Sequence, residues 1–181
     1  MAAASPSFAR ACLRGVSLDK EVPGAIRALV EYLQTGEYDD EDLSLDDWPN
    51  HFEMSSMALN IYVHALAQKH GIPALAALAK SKFETLAAAE CWRKSFAHAA
   101  KEAYTRFAPY TLQIQKSIVN ICCSTGVARL AVLGPKGLTA EQFCVCGNMC
   151  ELARDLPKLR QDLMQGVVMN AECALQAPKW I

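Results

Sequence analysis

The chain has 181 residues, 52% of them hydrophobic and 20% charged. A chain of that size buries roughly 70% of the surface its unfolded form exposes, so it holds a core without metal or disulfide, and its composition is far from that of a disordered segment. Its net charge of −1 supplies no positive field to recruit nucleic acid, and no window reaches the ~18 consecutive apolar residues of a membrane span.

Apolar spacing is helical along almost the whole chain. Residues 16–18 are the first of two short strand candidates. Pro23 suits a first helical position, and Ile26, Leu29, Val30 and Leu33 follow at helical spacing. Gly36 is placed to close that helix in a left-handed cap. Residues 37–47 carry seven carboxylates in eleven positions, which predicts a solvated loop. Ser55 or Ser56 can cap the next helix, which carries Met57, Ile61, His64 and Ala65 on one face and stops at His70-Gly71-Ile72-Pro73. Gly71 there closes one helix and Pro73 opens another, the mark of a tight corner.

The third helix is expected to bury Leu75, Leu78, Ala79, Phe83 and Leu86, and Phe96, Ala100, Ala103 and Phe107 mark a fourth that Pro109 ends. Residues 112–122, 139–154 and 157–168 continue the helical pattern, with a second strand candidate at 127–133. Ala65, Ala67, Ala74, Ala76, Ala77 and Ala79 favour helix and permit close packing. The expected fold class is all-α or mainly α, without internal repeats. The start, Met1-Ala2-Ala3-Ala4-Ser5-Pro6, lacks the basic flank and apolar stretch of a secretory leader. An intracellular location, cytoplasmic or nuclear, is therefore expected. The eight cysteines would there stay as thiols and pack as small hydrophobes.

Three segments carry a more specific pattern. Ser5-Pro6-Ser7-Phe8-Ala9-Arg10-Ala11-Cys12 is similar to a helix of the form S-x-F-F-x-x-A-C. Leu29-Val30-Glu31-Tyr32-Leu33-Gln34-Thr35-Gly36-Glu37-Tyr38 is similar to L-L-E-Y-L-Y-T-G-D-Y. The run from Ile61 through His70-Gly71-Ile72-Pro73 to Leu75 is similar to V-Y-A-L-A-D-K-Y-x-I-P-x-L, the most specific of the three because it fixes a turn and two helix faces at once. In this order and spacing they resemble the fungal BTB/POZ domain.

The resemblance covers residues 5–88. It implies the C-terminal helical portion of a BTB/POZ fold over residues 1–88, and an α-helical extension over 89–181 that contains Leu156-Pro157-Lys158-Leu159-Arg160-Gln161-Asp162-Leu163. It further implies a protein–protein interaction module and not an enzyme. The partner would be a second copy or a cullin, the chain acting in the latter case as adaptor for a cullin-based ubiquitin ligase. No cofactor and no small-molecule substrate are expected. The elements that precede S-x-F-F in the family have no counterpart here, so its usual route to self-association does not carry over. The loop after Gly36 also lacks the hydrophobic-x-Glu motif linked to cullin binding. Tyr38, Leu43, Leu45 and Trp48, apolar residues within the acidic stretch, are the candidate partner contacts; the alternative is that they tuck back onto the helices.

Two further patterns bear on chemistry. Cys123 and Arg129 form C-x5-R and fit the C-x-x-G-x-x-R loop of cysteine-dependent phosphatases. In that loop backbone amides and an arginine fork hold a phosphate, and the same field lowers the thiol pKa. Trp48-Pro49-Asn50-His51 is similar to the W-P-D loop of those enzymes. Against this stand Cys122 in place of histidine and Leu130 in place of serine or threonine. Asn50 cannot donate a proton, and few strands are available to aim the loop. A cysteine phosphatase acting through Cys123 and Arg129 is therefore the alternative, with a buried helix end preferred.

Cys144, Cys146 and Cys150 form C-x-C-x3-C, but structural zinc needs four ligands and no fourth lies nearby, so no metal is expected. His51, His64, His70 and His98 share no spacing of a metal site or triad. The acidic stretch lacks the order of a calcium loop, and no nucleotide-binding fingerprint occurs.

Overall fold

The computed structural model of the chain describes residue 18 and residues 21–40, 55–126 and 140–176. Of these, 82% are helical and none is in a strand, which is the mainly α architecture expected from the spacing. Apart from Leu18, both strand candidates lie outside the described residues.

Helix α1, Pro23–Thr35, opens on a proline, whose missing N–H is no loss in a first turn. It closes at Gly36 with φ +86°, where the glycine N–H bonds the Tyr32 carbonyl at 2.8 Å. Helix α2, Ser56–His70, is capped by Ser55, whose Oγ accepts the Ala58 N–H at 3.2 Å. Of the two serines only this one is in place, since its extended backbone leaves Oγ free to turn onto the first amides. Gly71 ends α2 at φ +67°, Ile72 N–H reaches back to the Ala67 carbonyl at 2.8 Å, and Pro73 opens α3, Pro73–Glu90. The corner expected at this Gly-Ile-Pro is thus a left-handed cap followed directly by a proline start.

Beyond it come α4, Lys94–Tyr104, a 3-10 turn at Ala108–Tyr110, α5, Leu112–Ser124, α6, Ala140–Asp155, and α7, Pro157–Gln176.

Helix α2 is the centre of the core. All eleven side chains from Met57 to Ala67 are buried, because α1, α3 and α4 all pack against it. The expectation of one buried face bearing Met57, Ile61, His64 and Ala65 is therefore too narrow. On α3, Leu75, Ala79 and Phe83 are buried while Leu78 and Leu86 are only partly so. On α4 the alanines at 97, 99, 100 and 103 are buried with Phe96, a small-residue surface that lets helix axes approach. Phe107 falls just past the end of α4 and lies 5.0 Å, centroid to centroid, from the Tyr62 ring. Helix α5 packs on α3, α4 and α7, and α6 joins α4 to α7. One continuous buried cluster runs from Val22 to Leu163. Each large side chain fully buried in it contributes roughly 1.5–3 kcal/mol. Among the described residues no helix is long and apolar enough to cross a membrane.

Candidate functional site

Of the four residues expected to contact a partner, only Tyr38 lies within the described residues, and it takes the inward alternative. It is 2% exposed, and its hydroxyl donates to Asn60 Oδ1 at 2.5 Å in the core. Asn60 Nδ2 in turn donates to Asp40 Oδ2 at 2.7 Å, and Lys82 Nζ meets Asp40 Oδ1 at 3.2 Å while lying 5.0 Å from the Tyr38 ring centroid. Burial, followed by the charges of Asp40 and Glu37, drives the Tyr38 hydroxyl far above its ordinary pKa, so it stays protonated as a donor. The chain leaving α1 is thereby pinned to α2 and α3. Leu43, Leu45 and Trp48 lie outside the described residues.

His64 is 1% exposed and joins α2 to α3 through Nδ1, 2.9 Å from the Ala76 carbonyl. Because a carbonyl only accepts, Nδ1 carries the proton. Nε2 is buried without a hydrogen-bond partner among the described residues, as is Nε2 of His70. Burial holds both imidazoles toward the neutral form.

A second set of polar ties holds α3, α4, α5 and α7 together. Gln115 Nε2 donates to the Ala103 carbonyl at 2.8 Å, and Lys158 Nζ donates to Gln115 Oε1 at 2.7 Å. Tyr104 donates to Asp162 at 2.9 Å and Ser117 to Glu84 at 2.6 Å. Burial raises the Glu84 carboxyl, but its bonds to Lys80 and Ser117 outweigh that and hold it below its ordinary value. Every member of this set has a structural partner, which accounts for its placement without chemistry.

Cys123 stands on the last turn of α5, with Thr125 as C-cap and Gly126 at φ +81°. A helix precedes the cysteine, whereas the phosphatase loop follows a strand. Its thiol is half-buried and faces α7 at Gly166. Arg129 lies outside the described residues, as do Trp48, Pro49, Asn50 and His51. Among the described residues no three His, Cys, Asp or Glu side chains come together as a metal set. Of the C-x-C-x3-C cysteines only Cys150 has a described side chain, half-buried on α6, and burial pushes its thiol above the ordinary pKa.

A different surface stands out. On α7 Leu159 and Leu163 are fully buried, while Met164, Val168 and Met169 are 46%, 55% and 66% exposed. Adjacent positions are 100° apart around a helix, so α7 carries one apolar pair turned inward and a second, at 164 and 168, on an uncovered side. Next to it is an open groove lined by Arg154, Pro157, Arg160, Gln161, Met164 and Gln165. Sequence reasoning placed a helix here without marking this second pair, whose signal is the repeat of the i, i+4 spacing one residue later. A smaller apolar pair, Val30 and Leu33, is exposed on α1.

No family model matches the chain, and neither a curated protein nor a solved structure matches it.

Proposed function

We propose that this chain is a protein–protein interaction module and not an enzyme. The observation that carries the reading is the uncovered apolar side of α7, Met164, Val168 and Met169, on a helix whose opposite side is packed. Contiguous apolar surface bordered by polar groups is the usual mark of an interaction site. The resemblance of residues 5–88 to the BTB/POZ domain supports the same class; the adaptor role for a cullin-based ubiquitin ligase that it also implies lacks the hydrophobic-x-Glu motif after Gly36 and rests on the binding test alone. The test is gel filtration with light scattering on the purified full chain, alone and mixed with the N-terminal region of a cullin, with hydrolysis of p-nitrophenyl phosphate assayed on the same peak. A defined homo- or hetero-complex without turnover is expected. A chain that stays monomeric in every mixture and shows turnover abolished by Cys123→Ser would replace this reading with that of a cysteine phosphatase.

A further inference from the structure

The side chains around the α7 groove specify more than a sticky patch. Its apolar floor is Met164 and Pro157, continued along the helix by Val168 and Met169. Its charged members are Arg154 from the end of α6 and Arg160 from the first turns of α7, both exposed, and among the described residues no carboxylate lines it. Gln161 and Gln165 complete the wall as neutral donors and acceptors. We infer that the α7 groove receives an amphipathic helix of a partner protein, acidic in its first turn and laid parallel to α7. This rests on the interaction-module reading and names the partner's chemistry.

The apolar spacing sets the first property. Met164 and Val168 are one helical turn apart, so a helix laid alongside meets them with residues at i, i+3 or i+4, and i+7. Methionine's unbranched, polarisable side chain adapts its shape to such an occupant. The charges set the second. Arg154 and Arg160 both sit at the α7 N-terminal end of the groove, where aspartate or glutamate of the partner makes charge-assisted bonds. Carboxylates are favoured within a helix at its own first turn, against the positive end of the macrodipole. Both demands are met together when the partner's N-terminus lies over Arg160, which fixes the orientation.

The experiment is a display library of helical peptides about five turns long, selected on the purified full chain. Enriched peptides are ranked on the parent, on Met164→Glu, on Val168→Glu and on the double variant Arg154→Glu/Arg160→Glu, each checked for unchanged helicity by circular dichroism. Enriched sequences should carry the i, i+3/i+4, i+7 apolar pattern with Asp or Glu in the first turn. Their affinity should drop about tenfold or more on each variant, since that loss is what one buried contact or one charge pair supports. Peptides that lose affinity on Met164→Glu but show no acidic excess, and are indifferent to the arginine reversals, would sink the partner assignment and leave the interaction module standing. A homodimer that dissociates on Met164→Glu would also overturn it, since a second copy would then be the occupant. Enriched peptides bound equally by all variants, or no enrichment at all, would refute the groove as a docking site.

Discussion

His64 shows what full burial does to a titratable side chain at the centre of a helical core. Burial first, and then repulsion from Lys80, favour its neutral form, against the opposing bond to the Ala76 carbonyl. In the unfolded chain the same imidazole titrates at about 6.5. The folded pKa is therefore the lower of the two, and below about pH 6.5 the unfolded state binds a proton that the folded state refuses. This stabilisation is complete above the unfolded pKa and is lost as pH falls toward the folded one. His70 is pushed in the same direction by burial and Lys69, against Glu21, and adds to the trend. The urea midpoint of the full chain should drop between about pH 7.5 and about pH 5.5, the range of histidine titration, and His64→Asn should flatten most of that drop. A variant that keeps the parental slope would remove His64 as its origin. The position of His64 on a buried face was legible from helical spacing. Its almost complete burial was not, because its partner, the Ala76 carbonyl, is brought to it by the packing of α3 on α2 across the corner at Gly71. For Tyr38 the sequence left contact with a partner and packing onto the helices both open. Its neighbours in sequence are carboxylates and argue for solvent, while its hydroxyl partner, Asn60, lies 22 positions away.

Helix ends are local features, and the sequence displays them: Gly36, Gly71 and Pro73 stand where their backbone demands place them. Helix contacts are not local, and Gly166 shows the difference. Considered alone, glycine inside α7 costs about 1 kcal/mol relative to alanine, so Gly166→Ala promises a gain. Packing reverses the sign. A Cβ at 166 would sit 2.7 Å from Cys123 Sγ and 2.7 Å from Val119 Cγ1, both on α5, and valine has a single preferred χ1 in a helix and cannot turn aside. Overfilling a packed contact costs typically about 1–3 kcal/mol. Gly166→Ala should therefore lower the thermal midpoint, and Gly166→Leu should lower it further. Adding Cys123→Ala to Gly166→Ala should recover part of the loss, since residues in contact couple. A higher midpoint for Gly166→Ala would show that α5 and α7 do not cross this closely. The length of α7 was also only partly legible. Its apolar pattern fades after Val168, yet no glycine or proline follows before Pro178 to stop it, and the helix runs on to Gln176.

At the scale of the whole molecule the question is whether the chain unfolds as one body. The resemblance divides it at residue 88, while the buried cluster draws on α1 to α3 before that position and on α4 to α7 after it. Helix α2 presses on α4, and α3 on α5, so removing either half would strip cover from the other. Apolar surface exposed in that way costs roughly 25 cal/mol per Å², against a total stability of about 5–15 kcal/mol for a native domain. Partial unfolding at residue 88 is therefore unfavourable, and calorimetry should show one transition whose van't Hoff and calorimetric enthalpies agree. Phe96, fully buried on α4, provides the sharper test. Phe96→Ala should remove about 3–5 kcal/mol, the usual cost of deleting a core aromatic ring. Under global unfolding that loss reaches amides far from the cavity, because the slowest-exchanging groups open only with the whole structure. Hydrogen exchange should thus accelerate by a similar factor in α2 and in α5. Acceleration confined to residues beyond 88 would mean that the two parts open independently, and that the contact of α2 with α4 binds two units together without making them one.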